Sequence, residues 1–387
     1  MGVIVRQKVK GKGNPWWIFI NYNGRRKAKL IGDRKAAEDV ASTIRKKLKE
    51  GEFGIEDNNA PLFKDYAQKW LETDVASACK YSTYQGYEIE LRRHILPVLG
   101  NKRLSDISKK DIKDLIYAKY KEGLSQNTVR NIKMCLSGVL SSAVDDELIP
   151  KNVASKVGKF TKKKDQKEEI NPYTVEETAL FLEACQRYYP RYYPSFLCGF
   201  RTGMRIGELV AVQWPDIDFN SRFIEVRRNY VCGRITTPKS GKTRRVDMTP
   251  QLAETLKKLR IERKKEALRR GWKEVPEWVF CNEEGNILDI GNLRKRIFYK
   301  CQEKAGLRRV RLHDMRHTYA TVRISKGDNI ADVSKQLGHS SVQITTDVYY
   351  HWMPGKNKAE VDELDNLGAT ERNLYATRTH PVGDQSS

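Results

Sequence analysis

Apolar positions change period along the chain. Trp16-Trp17-Ile18-Phe19-Ile20-Asn21-Tyr22 alternates in β-favouring types, Asn23-Gly24 is a strong two-residue hairpin signal, and Arg25 to Ile31 reads as the return strand. Val3, Val5 and Val9 can supply a third strand. Asp33 then caps a helix predicted from Arg34 to about Lys49, with Ala37, Ala41, Ile44 and Leu48 on one face and Gly51 closing it. The first 55 residues therefore predict a three-stranded sheet with one helix.

From Pro61 to Val157 the period is helical. Phe63, Tyr66, Ala67, Trp70 and Leu71 recur at i, i+3, i+4 and i+7, as an amphipathic helix requires. Further helices are predicted over 82–94, 108–121 and 125–145; Ser108 caps its helix with Asp111 three residues on. Residues 156–170 are charged and of low complexity, the pattern of an exposed linker, as are the acidic residues of 52–60. A capping box, Thr174-Val175-Glu176-Glu177, opens the remainder. There helices alternate with a strand-rich patch over 223–248, in which Cys232-Gly233-Arg234 makes a turn, and Trp278-Val279-Phe280 adds a short strand. Helices continue to Tyr349; 360–367 reads as helical and 369–387 as loose.

Charge narrows the partners. The 387 residues carry 72 Lys+Arg against 49 Asp+Glu, a formal net charge of +23, so a polyanion is the expected partner. A membrane is not, since mean hydropathy is −0.67 and no apolar run nears the ~20 residues needed to span. The first residues lack a secretory signal, and Arg6 breaks the myristoylation pattern, so a cytoplasmic, nucleoid-associated protein is expected. Seven scattered cysteines without a C-x-x-C pair predict reduced core residues rather than disulfides or zinc ligands. Arg25, Arg26, Lys27 and Lys29 crowd one hairpin, which points to a grip on nucleic acid rather than ordinary surface charge.

The unusual residues gather late in the chain. Four of six histidines (His313, His317, His339, His351) fall between 313 and 351, with Arg316, Tyr349 and Tyr350. Upstream stand Arg205, in T-G-M-R-I-G-E-L, and Lys239, in T-P-K-S-G-K-T-R-R-V. Cleaving a phosphodiester places extra negative charge on the non-bridging oxygens, and planar guanidinium groups match that geometry bidentately. A phenol can be the nucleophile if its proton is removed, and Lys or His can protonate the leaving oxygen. No metal or other cofactor is demanded. Blander readings stand beside this one. R-I-G-E-L alone reads as a helix start with Glu208 near the positive end of the dipole. His313 and His317 are spaced like a metal pair, but Asp314 and the lack of a downstream carboxylate depart from the zinc-protease pattern. Trp214, Tyr319 and Cys198 read as core, while Lys242, Arg244 and Arg245 read either as phosphate contacts or as solvated charge.

R-I-G-E-L at 205–209, L-H-D-M-R-H at 312–317 and L-G-H-S-S-V-Q-I-T-T-D-V-Y at 337–349 resemble the three signature boxes of the tyrosine recombinase (phage integrase) family. P-K-S-G-K-T-R-R-V at 238–246 resembles the hairpin that carries the family's lysine. The resemblance is strong over 174–355. Residues 61–157 are similar to the core-binding domain in pattern and position, and 1–55 to an arm-type DNA-binding domain. It implies a multidomain fold, mainly α with small β-sheets: an N-terminal three-stranded sheet plus helix (1–55), a helical core-binding domain (61–157), a mixed α/β catalytic domain (171–368) and a loose tail (369–387).

By matched position, Arg205 and Arg316 would clamp the scissile phosphate and Lys239 would protonate the leaving 5′-oxygen. His313 would assist proton transfer, His339 would hydrogen-bond the phosphate, and Tyr349, ten residues past His339, would attack. Tyr350 departs from the small residue usual in the family. The implied partners are double-stranded DNA at core and arm-type attachment sites, a homotetramer at synapsis, a host DNA-bending protein and an excisionase. Alternatives sharing the chemistry are a dimer resolvase, a conjugative-element recombinase and type IB topoisomerase-like relaxation; a fourth is a DNA-binding protein that no longer cuts.

Overall fold

A computed structural model describes residues 2–353 apart from 10, 12, 23–24, 50–59, 156, 158–169 and 240. The Asn23-Gly24 turn, Gly51, most of both expected linkers, and the expected helix and tail after 360 lie outside the described residues. The chain divides into two units, 1–167 and 168–387.

The first unit contains two separate apolar cores. Strands β1 (Gly2–Gln7), β2 (Trp16–Tyr22) and β3 (Arg25–Gly32) form an antiparallel sheet in that order. Val3 pairs with Ile20 and Val5 with Ile18, so one face carries the apolar set. Helix α1 (Arg34–Lys49) covers that face with fully buried Ala37 and Ala41. Asp33 caps it as expected, Oδ2 accepting from the Ala36 amide at 2.9 Å. The first strand stops short of Val9, which is exposed, because Gln7 closes a turn instead. Its Nε2 donates to the Asn14 carbonyl at 2.7 Å. On the opposite face Arg6 lies over Phe19 and Lys8 over Trp17.

The second core is all helical. Helix α2 (Phe63–Trp70) continues through a π-helical turn into α3 (Ala76–Ala78), and α4 (Tyr81–Glu90) continues likewise into α5 (Leu96–Leu99). Helices α6 (Lys109–Lys121) and α7 (Gln126–Asp145) complete it, with the Ser108–Asp111 capping box in place. Phe63, Ile95, Ile112, Ile132 and Leu136 lie fully inside.

In the second unit, α8 (Val175–Tyr188) starts at the Thr174–Glu177 capping box, and α9 (Tyr193–Thr202) and α10 (Ile206–Val210) follow. Strands β4 (Ile217–Asp218), β5 (Phe223–Val226) and β8 (Arg244–Asp247) form one sheet. Strands β6 (Asn229–Val231) and β7 (Arg234–Thr236) form a hairpin, turned by Cys232 and Gly233 at φ of 50° and 76°. The expected strand at 278–280 is absent. Trp278 makes only an isolated bridge to Gln213. The partner segment turns at once into the 3₁₀ turn Trp214–Asp216, within which Pro215 has no amide hydrogen. After α11 (Pro250–Arg270), α12 (Ile290–Asn292) leads through a π-helical turn into α13 (Tyr299–Lys304). Helices α14 (Asp314–Ser325), α15 (Ile330–Leu337) and α16 (Val342–Tyr349) close a smaller core of Tyr319, Ala320, Ile324, Val333, Leu337 and Tyr349.

The seven cysteines are free, with five buried and Cys79 and Cys232 exposed. Among the described residues no helix is long and apolar enough to cross a membrane.

Candidate active site

The site begins at the end of α9. Gly203 adopts the left-handed conformation (φ 61°), and a Cβ there would meet Tyr319 Cδ1 at 2.4 Å, so the tight turn requires glycine. The turn leaves Arg205 at the N-cap of α10. Glu208, at the third position of that helix, accepts from the Arg205 amide at 2.9 Å. The same carboxylate accepts from Arg205 Nη1 at 3.0 Å and from Arg244 Nη1 and Nη2 at 3.1 and 2.7 Å. Its side chain is wholly buried. Burial alone would raise its pKa, but the Arg244 hydrogen bonds and the Arg244 and Arg205 charges outweigh that and hold it below the usual range.

Arg244 is therefore neither a solvated charge nor an open phosphate contact. Its side chain is 9% exposed and its Nε donates to the Gln336 carbonyl at 2.9 Å. Gly338 leaves room for it, since a Cβ there would stand 2.8 Å from Arg244 Cδ. Arg205 Nη2 donates to the Gly338 carbonyl at 3.2 Å, which ties α10 to the end of α15.

Glu208→Ala should lower stability by about 3–5 kcal/mol, because it leaves buried Arg244 without its counter-ion. Urea unfolding of the two proteins checks this. Since the folded pKa is depressed, the stabilisation is present above the unfolded pKa of about 4.3 and is lost as pH falls through the folded value.

Arg316, in the first turn of α14, is 3% exposed. Its Nη1 donates to the Gly203 carbonyl at 2.9 Å, whereas Nη2 is buried without a hydrogen-bond partner among the described residues. Burial, and then the charge of Arg205, push its pKa down to about 9. Arg205, Arg244 and Arg316 together face one carboxylate, Glu208, a formal excess of two positive charges (3 − 1). That excess and the unused guanidinium arm define an anion site.

The histidines around it are held neutral. His339 Nδ1 lies 2.8 Å from the buried Thr345 hydroxyl, and burial followed by the Arg316 and Arg205 charges pushes its pKa down to about 4. His313, at the N-cap of α14, is also shifted down, by desolvation first and by Arg316 next. His317 Nδ1 lies 2.7 Å from the Tyr349 hydroxyl. Burial and then His313 push its pKa down to about 4.

Tyr349 ends α16 and is 1% exposed, its ring packed against Trp352. Burial raises its phenol above the ordinary range, with the Arg316 charge opposing. Tyr350 is 66% exposed. Lys239 stands apart. It is exposed on the loop between β7 and β8, and among the described residues no hydrogen bond or ion pair joins it to the other five. The sequence reading thus found five residues that the fold gathers and one that it leaves on a loop. It missed Glu208 and Arg244 as a buried pair and His317 as the phenol's partner. The R-x-x-E spacing could have signalled the first, since it places a carboxylate three residues into a helix whose N-cap is the arginine.

A guanidinium-rich anion site beside a buried tyrosine, on a mainly helical scaffold, defines a class of DNA-joining enzyme, and sequence comparison identifies it. A model described as "Phage integrase family" matches residues 172–355, and one described as "Phage integrase, N-terminal SAM-like domain" matches 62–120. The chain belongs to the tyrosine recombinase (phage integrase) family and is a site-specific DNA recombinase. It is 27% identical to the ICEBs1 integrase of Bacillus subtilis (strain 168), over 87% of this chain and 94% of that one. It is 29% identical to a XerC-like tyrosine recombinase of Caldanaerobacter subterraneus subsp. tengcongensis, over 78% and 82%. Its fold is similar to a Tn1549 transposon integrase solved with a circular intermediate DNA (TM-score 0.64, 21% identity, 79% of this chain and 99% of that). It is also similar to a lambda integrase tetramer solved on a Holliday junction (TM-score 0.59, 18% identity, 88% and 94%).

Proposed function

We propose that this recombinase integrates and excises a mobile element, cutting each DNA strand through a 3′-phosphotyrosyl link to Tyr349. The observation that carries the reading is the buried Tyr349 phenol beside an anion site with an unused Arg316 arm. A scissile phosphate seated there would accept from Arg316 and from Arg205, the two planar cations matching its non-bridging oxygens. His339, neutral and anchored through Thr345, would present its other ring nitrogen to the same phosphate. His313 would assist proton transfer from its place at the start of α14. Relatives named as integrases favour this purpose over dimer resolution or relaxation. Covalent capture on a nicked suicide duplex tests it: a protein that binds but never becomes joined to the DNA is not this enzyme.

Lys239 is assigned the proton for the leaving 5′-oxygen. Its exposed loop position suits a group that reaches the site only along bound DNA. Lys239→Ala should cut ordinary DNA at least ~100-fold more slowly, the usual scale for losing a general acid. It should recover on DNA with a 5′-bridging sulfur, whose thiolate leaves unprotonated. No recovery on the sulfur substrate removes Lys239 from this role.

The parts of the chain are assigned separate DNA tasks: 1–55 to arm-type sites, 61–157 to the core site, 171–368 to catalysis. Four protomers would assemble at synapsis, with a host DNA-bending protein and an excisionase as accessory partners. The small sheet has its own core and a face of cations stacked on aromatics, which supports an independent DNA contact. Deleting 1–55 should abolish footprints at distal arm sites while core-site cleavage persists. Unchanged footprints would make that unit a protein contact.

A further inference from the structure

We infer that His317 takes the phenolic proton of Tyr349 when a strand is cut and returns it when the strand is rejoined. The inference rests on the reading of Tyr349 as the nucleophile. Its basis is geometric: His317 Nδ1 lies 2.7 Å from the phenolic oxygen, on the adjacent face of α14, with ring centroids 5.7 Å apart. A general base must first lie within hydrogen-bond reach of the proton that it removes. Among the described residues no hydrogen bond joins His313 to the phenol, and His339 turns its Nδ1 to Thr345.

The direction of the bond follows from which group carries the proton. Burial raises the phenol's pKa, so Tyr349 keeps its hydrogen at neutral pH. His317 is neutral there, so the phenol donates, Nδ1 accepts, and the ring's own hydrogen sits on Nε2. With the O–H bond aimed at His317, a lone pair of the oxygen remains for phosphorus. In cutting, the O–H bond breaks as the Tyr349 O–P bond forms, and the proton becomes the Nδ1–H of a His317 imidazolium. The P–O5′ bond breaks, and the 5′-oxygen takes its proton from a different donor, the role given to Lys239. In rejoining, the 5′-hydroxyl returns its proton to that same donor as its oxygen attacks phosphorus, the P–O bond to Tyr349 breaks, and the departing phenolate recovers the proton from His317.

The surroundings of His317 disfavour its charged form. The titratable and charged groups facing His317 are Arg311, His313, Asp314 and Arg316 on or just before its own helix, with His339 and Tyr349 from other elements. Burial is the largest influence on His317, and the neighbouring cations oppose a further positive charge. A phosphate seated against Arg205 and Arg316 offsets that charge and favours the imidazolium. Proton removal is thereby coupled to occupancy of the phosphate site.

The test uses the full chain on a suicide duplex, with DNA affinity and thermal stability measured alongside. His317→Asn places an amide near Nδ1, so the hydrogen bond can persist while the base is lost. Its adduct formation at neutral pH should fall by about 10²–10⁴-fold with DNA affinity unchanged. Incorporating 3,5-difluorotyrosine at 349, whose phenol is far more acidic, should restore most of that loss. The rate of the wild type should respond much less to the same replacement. Wild-type rates in His317→Asn overturn the proposal. So does a His317→Asn enzyme that difluorotyrosine fails to rescue while the wild type remains active with it, because His317 would then be only a packing group. Should His317→Asn not fold, His317→Gln is read by the same two outcomes. Failure of the nucleophile reading is separately visible, as an adduct of the unaltered protein that maps to a residue other than Tyr349.

Discussion

Tyr349→Phe is expected to abolish covalent DNA adducts while DNA affinity stays within about twofold, and Tyr350→Phe is expected to retain them. The phenyl ring fits the same buried space in the small core, against Trp352, so the fold survives. The lost hydroxyl leaves His317 Nδ1 unpaired, at a cost of about 1–3 kcal/mol for a buried acceptor, which a domain of this size tolerates. Nothing can then attack phosphorus. Tyr350 is mostly exposed and takes no part in the small core around Tyr349. Its size at a position usually small in the family is accommodated because it faces away from that core. Gel separation of protein–DNA adducts, followed by peptide mapping, checks both variants. A nucleotide found on Tyr350 would mean that the chain register around α16 differs when DNA is bound.

Arg316→Lys and Arg205→Lys should each slow single-turnover cleavage on the order of a hundredfold or more, the scale seen when one transition-state donor is removed. Arg316 needs two arms, one to hold the Gly203 carbonyl and one left for a phosphate oxygen. An ammonium group is a point charge and cannot satisfy both positions in one plane. Arg205 would have a similar double duty, since its guanidinium holds Glu208 and the Gly338 carbonyl and would also have to meet the phosphate. Its replacement should additionally loosen the tie between α10 and α15, so thermal stability is measured with the rate. If either lysine variant cuts within about tenfold of the parent, a guanidinium is not required at that position, and the bidentate clamp is wrong.

The elements written in local signals were legible from the sequence. The Thr174–Glu177 and Ser108–Asp111 boxes, the Asp33 cap and the apolar stripe of α1 each depend on residues within one or two helical turns. The structure reproduces them at the expected residues. Two strand readings failed for want of partners. Val9 lies beyond the turn that Gln7 closes, and the run 278–280 faces a segment that turns at once into Trp214–Asp216. A strand exists only where a neighbour can accept its hydrogen bonds, and that neighbour is far away in the sequence.

The same limit governs the site. Sequence alone determined which residue types were present, their order in the three boxes, and that Tyr349 and Arg316 belong to helices. It singled out Lys239 by resemblance but could not tell which of the other basic residues of the 238–246 segment is buried. Tertiary structure decided that by burying Arg244 against Glu208, 36 positions away, and leaving Lys239 in solvent. Likewise it chose His317 rather than His313 as the phenol's partner, across 32 positions. These outcomes depend on burial and on the meeting of distant turns at Gly203 and Gly338. A charged or titratable side chain takes its character from what surrounds it once water is excluded, and only the folded chain determines those surroundings.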